Sequence, residues 1–228
     1  MSKKNKKDEV ELTSSEKMEG KLNSFLSRNR MLLIIICAVI VAALIVFIIV
    51  DNVSASNTEK QFDKIDQLET TYSELNAADA TSEGYQAKVD DLKAQLQDLA
   101  KGKKYPSLKA QYLLATMAFN DKDYQTALEG YDAVYQNAKG SYLGSLALTN
   151  AAVAAEEKGD DAKALEYYTK VWDEFGVSAA EAPKALFNQA RLQQKSDATL
   201  AKATYQQLID QFPQSEYAKL AKSVIISL

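Results

Sequence analysis

Ala127, Ala164 and Ala201 stand 37 residues apart, and Tyr131, Tyr168 and Tyr205 repeat the same interval four positions later. The three copies read DYQTALEGYDAVY (123–135), DDAKALEYYTKVW (160–172) and DATLAKATYQQLI (197–209). A small residue followed four positions on by a large aromatic puts both on one face of a helix. Each copy is preceded by a polar turn containing Asp, at 120–123, 157–160 and 195–197, and by a helical stretch carrying alanines: Ala115 and Ala118, Ala152 and Ala155, Ala190. A chain with such a period builds one helix-turn-helix unit several times. No unit buries its apolar face alone, so neighbours must stack. With 8 Gly and 3 Pro in 228 residues, the sequence lacks the turn residues of an all-β fold. The expected class is all-α.

These residues resemble the tetratricopeptide repeat family. The middle copy carries the pattern at Leu148, Ala151, Ala152, Gly159, Ala164 and Tyr168, and the first at Leu114, Ala115, Tyr124, Ala127 and Tyr131. The third keeps Leu186, Ala190, Ala201, Tyr205 and Pro213, with its first helix one residue closer to its second. The 37-residue period departs from the family's usual 34. The resemblance implies that Ala127, Tyr131, Ala164, Tyr168, Ala201 and Tyr205 pack the units together. It also implies that the first helices line a groove, here with Lys109, Tyr112, Thr116, Phe119, Thr149, Val153, Glu156, Phe187, Arg191 and Gln194. For Tyr112, Phe119 and Phe187, core packing is an equal alternative. Facing the groove, they suit an apolar or extended peptide better than an acidic one. The family's cationic clamp for acidic tails is poorly matched, with only Lys109, Asn188 and Arg191 to stand in for it.

Met31 to Val50 is 20 consecutive residues without a charge, Asn, Gln, Pro or Gly. A helix of that length spans about 30 Å, the thickness of a bilayer's hydrocarbon core. The preceding 30 residues hold eight Lys and Arg; residues 51–70 hold five acids against Lys60 and Lys64. The positive-inside rule then puts the N-terminus in the cytoplasm and everything after Val50 outside. An uncleaved anchor fits the length better than a signal peptide cut near Ala55. Ile36 before Cys37, and the apolar run after it, argue against acylation of that thiol. Residues 1–30, highly charged and poor in large apolar side chains, read as a disordered cytoplasmic tail.

After a linker at 51–57, two apolar stripes follow: Ile65, Leu68, Tyr72, Leu75, then Tyr85, Val89, Leu92, Leu96, Leu99. They predict a helix pair over 58–100, with Thr81 or Ser82 as a cap between. The stripes would serve a seam for self-association or a fourth, degenerate unit equally well. The repeats occupy 107–228 and end in a capping helix that starts near Ser215. The expected fold is thus a single N-terminal transmembrane helix followed by an exported tetratricopeptide-like helical solenoid.

The chain has no His and a single Cys, which excludes internal disulfides, Cys/His zinc sites and His-based nucleophilic catalysis. No phosphate-cradling glycine loop is present. Neither a catalytic nor a metal site is expected, and no cofactor. The exported part, with 19 Lys and Arg against 26 Asp and Glu, carries about −7, which disfavours nucleic acid. The order of tail, span, helix pair and repeats resembles the YfgM-like ancillary subunits of the bacterial Sec translocon. That resemblance implies a periplasmic adaptor, not an enzyme, whose partners are the translocon, a membrane chaperone or newly exported chains. The alternative is an envelope scaffold that coordinates cell-wall or outer-membrane assembly machinery.

Overall fold

The computed structural model describes residues 14–228, with the side chains of Met18, of Lys21 to Ile48 and of Asn57 onward. Within that range the protein is all helix: α1 (Ser14–Arg28), α2 (Arg30–Ala77), α3 (Tyr85–Leu99), α4 (Tyr105–Asn120), α5 (Tyr124–Asn137), α6 (Tyr142–Glu157), α7 (Asp161–Phe175), α8 (Ala182–Gln193), α9 (Ala198–Gln211) and α10 (Glu216–Ser227). Contacts divide the chain into a unit ending at Asn57 and a unit running from Thr58 to Leu228.

In the first unit, Arg30–Ile48 is long and apolar enough to cross a membrane. Its side chains are exposed on every side, Leu33 alone being half-buried. A soluble helix hides one apolar stripe; this one has no polar face to offer water. Two expectations are corrected. The tail is not disordered over 14–28, because Met18, Leu22, Phe25 and Leu26 recur at helical spacing and α1 forms; residues 1–13 lie outside the described range. The expected linker at 51–57 is helical backbone within α2, since nothing between Val50 and Thr58 is Gly or Pro.

The second unit is a stack of helix pairs: α4 with α5, α6 with α7, α8 with α9, and α10 closing the end. The turn inside the first two pairs has one construction. Asp123 N–H bonds Ala118 O at 2.9 Å and Lys122 N–H bonds Phe119 O at 3.0 Å; 37 residues on, Asp160 N–H reaches Ala155 O at 2.9 Å and Gly159 N–H reaches Glu156 O at 2.8 Å. This double closure needs a left-handed residue just past the helix. Gly159 supplies it at φ 81°, and Lys122 adopts it at φ 63° against its side chain's preference. The aspartate after it then caps the next helix: Asp123, Asp160 and Asp197 accept from the amides of Thr126, Lys163 and Leu200. One residue thus ends one helix and begins another, which keeps the two antiparallel and adjacent.

The repeated alanines and tyrosines Ala127, Tyr131, Ala164, Tyr168, Ala201 and Tyr205 are all buried. A Cβ added at Gly130 would lie 2.8 Å from Ala115 Cβ, so α4 and α5 touch through their smallest residues. Ser215 caps α10 by accepting from Ala218 N–H at 3.0 Å.

The part of α2 from Thr58 onward and α3 pack onto α4. Ile65, Leu68, Leu75, Leu92 and Leu96 share one core with Ala110, Leu113 and Met117. The 58–100 stripes are therefore buried inside this chain, and the expected self-association seam is not on its surface. Leu92 and Leu96 stand 35 residues before Ala127 and Tyr131. They form a fourth unit in which leucines replace the small–aromatic pair. Between the two helices Thr81 donates to Asp79 from its amide and hydroxyl, and the cap of α3 is Gly84 at φ 76°, not Thr81 or Ser82.

Candidate functional site

The first helices of the units, residues 58–77 of α2 followed by α4, α6 and α8, are tied to one another by side chains. Lys109 Nζ of α4 pairs with Glu69 of α2 at 2.6 Å, and Asn120 Nδ2 donates to Tyr72 Oη at 2.8 Å. Asn150 Nδ2 of α6 donates to Tyr112 Oη of α4 at 2.5 Å. Arg191 of α8 pairs with Glu156 of α6, and its Nε donates to Asn188 at 3.2 Å. Ser145 Oγ donates to Glu181, the residue before α8, at 2.9 Å. Every neighbouring pair of first helices carries at least one such tie.

The second helices support this face from behind. Tyr131 Oη donates to Thr116 Oγ1 at 3.0 Å and Tyr168 Oη to Glu156 Oε1 at 2.8 Å. Burial pushes the Tyr131 phenol up to about 12. The Tyr168 phenol is raised further, first by burial and then by the carboxylate that accepts its proton. Both stay neutral donors at any physiological pH.

Residues 146–176 and 184–215 match the tetratricopeptide repeat family. These segments cover nearly all of α6–α7 and α8–α9. A TPR repeat-containing protein of Treponema pallidum (strain Nichols) is 32% identical over 149 residues, which span 62% of this chain and 60% of that relative's length. The α4–α5 pair carries the same turn construction as the first matched tetratricopeptide repeat, 37 residues earlier.

The expected groove residues of these repeats separate into three kinds. Tyr112 and Thr116 line an open recess of about 500 Å³ together with Glu69, Tyr72, Ser73 and Asn76 of α2. Lys109, Glu156 and Arg191 sit on the first-helix face with their charges paired, Val153 is half-buried there, and Gln194 is exposed. Phe119 and Phe187 are half-buried in aromatic packing, Phe119 against Tyr124 at 5.3 Å and Phe187 between Tyr205 at 5.6 Å and Tyr217 at 5.8 Å. Tyr112 also packs against Tyr131 at 5.4 Å, so it serves core and recess together. Thr149 is corrected: it is 1% exposed, its hydroxyl donates to Ser145 O, and it offers nothing to a ligand.

Glu69, Tyr72, Asn120 and Asn150 belong to this face and were not among the expected residues. Tyr72 lies 37 positions before Lys109, so extending the period upstream of Ser107 would have found it. Asn150 carries no comparable signal, being one step past the register of Thr149.

A second hollow, of about 470 Å³, lies between α3, α4 and α5. Leu114, Ala115, Ala118, Gly130 and Ala133 contribute its apolar lining, with Lys93 and Asp123 among the charged residues around it.

Proposed function

We propose that the chain is a membrane-anchored adaptor that holds an extended polypeptide along the first-helix face of its repeats. Arg30–Ile48 crosses the membrane once, the basic N-terminal segment stays in the cytoplasm, and the unit from Thr58 onward works on the other side, in the periplasm. The polypeptide is a translocon component, a membrane chaperone or a newly exported chain. The recess bounded by Tyr72, Tyr112 and Thr116 carries this reading. It is open, it is lined by the rings of Tyr72 and Tyr112 with Leu113 and Thr116, and its neighbouring cation, Lys109, is already neutralised by Glu69. Such a surface favours uncharged backbone and apolar side chains over an acidic tail. The anchor confines the face to the membrane surface and raises its effective concentration for partners there.

Photocrosslinking residues at Ser73, Thr116 and Val153 in the membrane-embedded full chain, with exposed Glu129 as control, test the reading. Capture of translocon subunits, a membrane chaperone or nascent exported chains from the first three positions and not from Glu129 is expected. Capture of cell-wall or outer-membrane assembly proteins instead would replace it with the scaffold alternative. Equal capture from Glu129 would move the binding face elsewhere.

A further inference from the structure

The helix α1 exposes its apolar side chains among the described residues: Met18 at 74%, Leu22 at 59%, Phe25 at 57% and Leu26 at 43%. At 100° per residue these four fall within an arc of about 100° on one side of the helix. Lys21 and Arg28, seven residues apart, run along one edge of that arc, and Ser24 and Ser27 occupy the opposite side. Residues 14–30 hold four Lys and Arg against two Glu.

A single residue joins α1 to the apolar helix that follows. Asn29 donates both its backbone N–H, at 3.0 Å, and its side-chain Nδ2, at 2.9 Å, to Phe25 O, which closes α1. The Asn29 carbonyl accepts from Leu33 N–H at 2.9 Å, which opens α2. A recess of about 560 Å³ bounded by Ser24, Phe25, Arg28 and Asn29 lies at this junction. The junction is a one-residue interruption, with a polar side chain, between α1 and the apolar stretch of α2.

We propose that α1 lies flat in the interface of the bilayer that α2 crosses, with Met18, Leu22, Phe25 and Leu26 at the acyl–headgroup boundary and Lys21 and Arg28 on anionic headgroups. This rests on the reading of Arg30–Ile48 as a membrane span. The occupant is lipid and not a partner protein for two reasons. The apolar arc begins one cap residue away from side chains that themselves require hydrocarbon. The arc is also edged by cations with long aliphatic stems, which reach from apolar depth to the headgroup level. With α1 parallel to the surface, the arc faces inward and the serines face water.

Nitroxide labels test the arrangement in the full chain carrying Cys37→Ser, in vesicles of phosphatidylcholine and phosphatidylglycerol at about 3:1. Single cysteines replace Leu22, Phe25, Ser24, Ser27 or, within the span, Val39, and collision with oxygen is compared with collision with a water-soluble nickel chelate. Labels at Leu22, Phe25 and Val39 are expected to favour oxygen, and labels at Ser24 and Ser27 to favour nickel. Replacing Lys21 and Arg28 by Gln should lower the surface-held population about five-fold for each charge removed. Labels at Leu22 and Phe25 as open to nickel as those at the serines, with Val39 shielded, overturn the proposal and leave the span intact. Nickel access at Val39 overturns the span and the proposal with it. A contrast unchanged by the Gln substitutions overturns the role of anionic lipid.

Discussion

The contact between Gly130 and Ala115 supports a prediction whose sign opposes the usual rule. At an unobstructed helix position, Gly→Ala stabilises by about 1 kcal/mol, because alanine gives up less backbone freedom on folding. At Gly130 the new Cβ would lie 2.8 Å from Ala115 Cβ and 3.5 Å from Ala115 Cα. The first distance is about 1 Å inside carbon–carbon contact. Two rigid methyl groups on facing helices relieve such an overlap only by separating α4 from α5, and overpacking of this kind costs about 1–3 kcal/mol. Gly130→Ala should therefore destabilise the unit from Thr58 onward by up to about 2 kcal/mol. Removing the obstructing methyl with Ala115→Gly leaves only the 3.5 Å contact, which is ordinary packing. In that background Gly130→Ala should stabilise by about 1 kcal/mol. The double-mutant cycle then shows a coupling equal to the overpacking cost, about 1–3 kcal/mol, a value expected only of residues in contact. Urea unfolding followed by far-ultraviolet circular dichroism gives the energies, and Trp172 fluorescence reports whether distant repeats unfold with the altered pair. Stabilisation by Gly130→Ala in the otherwise unchanged protein, or coupling near zero, would show that the helices do not approach this closely.

Tyr168→Phe removes a hydrogen bond to the Glu156 carboxylate and should cost about 1.5–3 kcal/mol, whereas Tyr205→Phe, at the same repeat position without such a partner among the described residues, should stay within about 0.5 kcal/mol; equal losses in urea melts would refute the difference. Tyr112, Tyr131, Tyr135, Tyr167 and Tyr168 all have phenol pKa values raised above the ordinary 10. A raised folded value means the stabilisation is whole below pH 10 and lost as pH climbs toward the folded values, about 12 for Tyr131. Absorbance at tyrosinate wavelengths should therefore rise together with loss of helix, and a simple titration near 10 with helix intact would contradict it. Leu92→Ala, in the core shared by α2, α3 and α4, should cost about 2–5 kcal/mol locally while amide exchange in α6 to α9 stays slow. Lys122→Gly relieves the left-handed backbone at φ 63° and should stabilise by about 1 kcal/mol in thermal or urea melts, with no gain if that turn opens in solution.

The sequence pattern made the repeated second helices legible because their packing depends on side-chain size at fixed offsets. Ala164 with Tyr168 and Ala201 with Tyr205 announce where helices meet. The pair over 58–100 was legible as helices but not in its placement, since Leu92 and Leu96 are large where the other units are small, and two apolar stripes look alike whether they face a neighbour or a second chain. Only the position of α4, with Ala110, Leu113 and Met117 facing them, decides it. The groove was less legible still. Thr149 lies one residue from Asn150, and at 100° per residue that step separates a buried hydroxyl from a side chain that reaches across to Tyr112. A period found in the second helices fixes the rotation of the first helices only as well as the turn between them is known. The double closure at Asp123 and Asp160 is a backbone property that residue types alone do not specify, as Lys122 in the place of Gly159 demonstrates.

The ties between successive first helices also set how the array deforms. Apolar layers resist being pulled apart but slide with little preference for direction, because dispersion contacts are many and weak. A hydrogen bond such as Asn150 to Tyr112, or the pair of Arg191 with Glu156, has a short range and a fixed direction. Placed along one face, such bonds act as stops. The array should bend toward that face more easily than away from it, since bending away stretches every tie at once. A polypeptide lying there would meet a surface that yields in one sense and braces in the other.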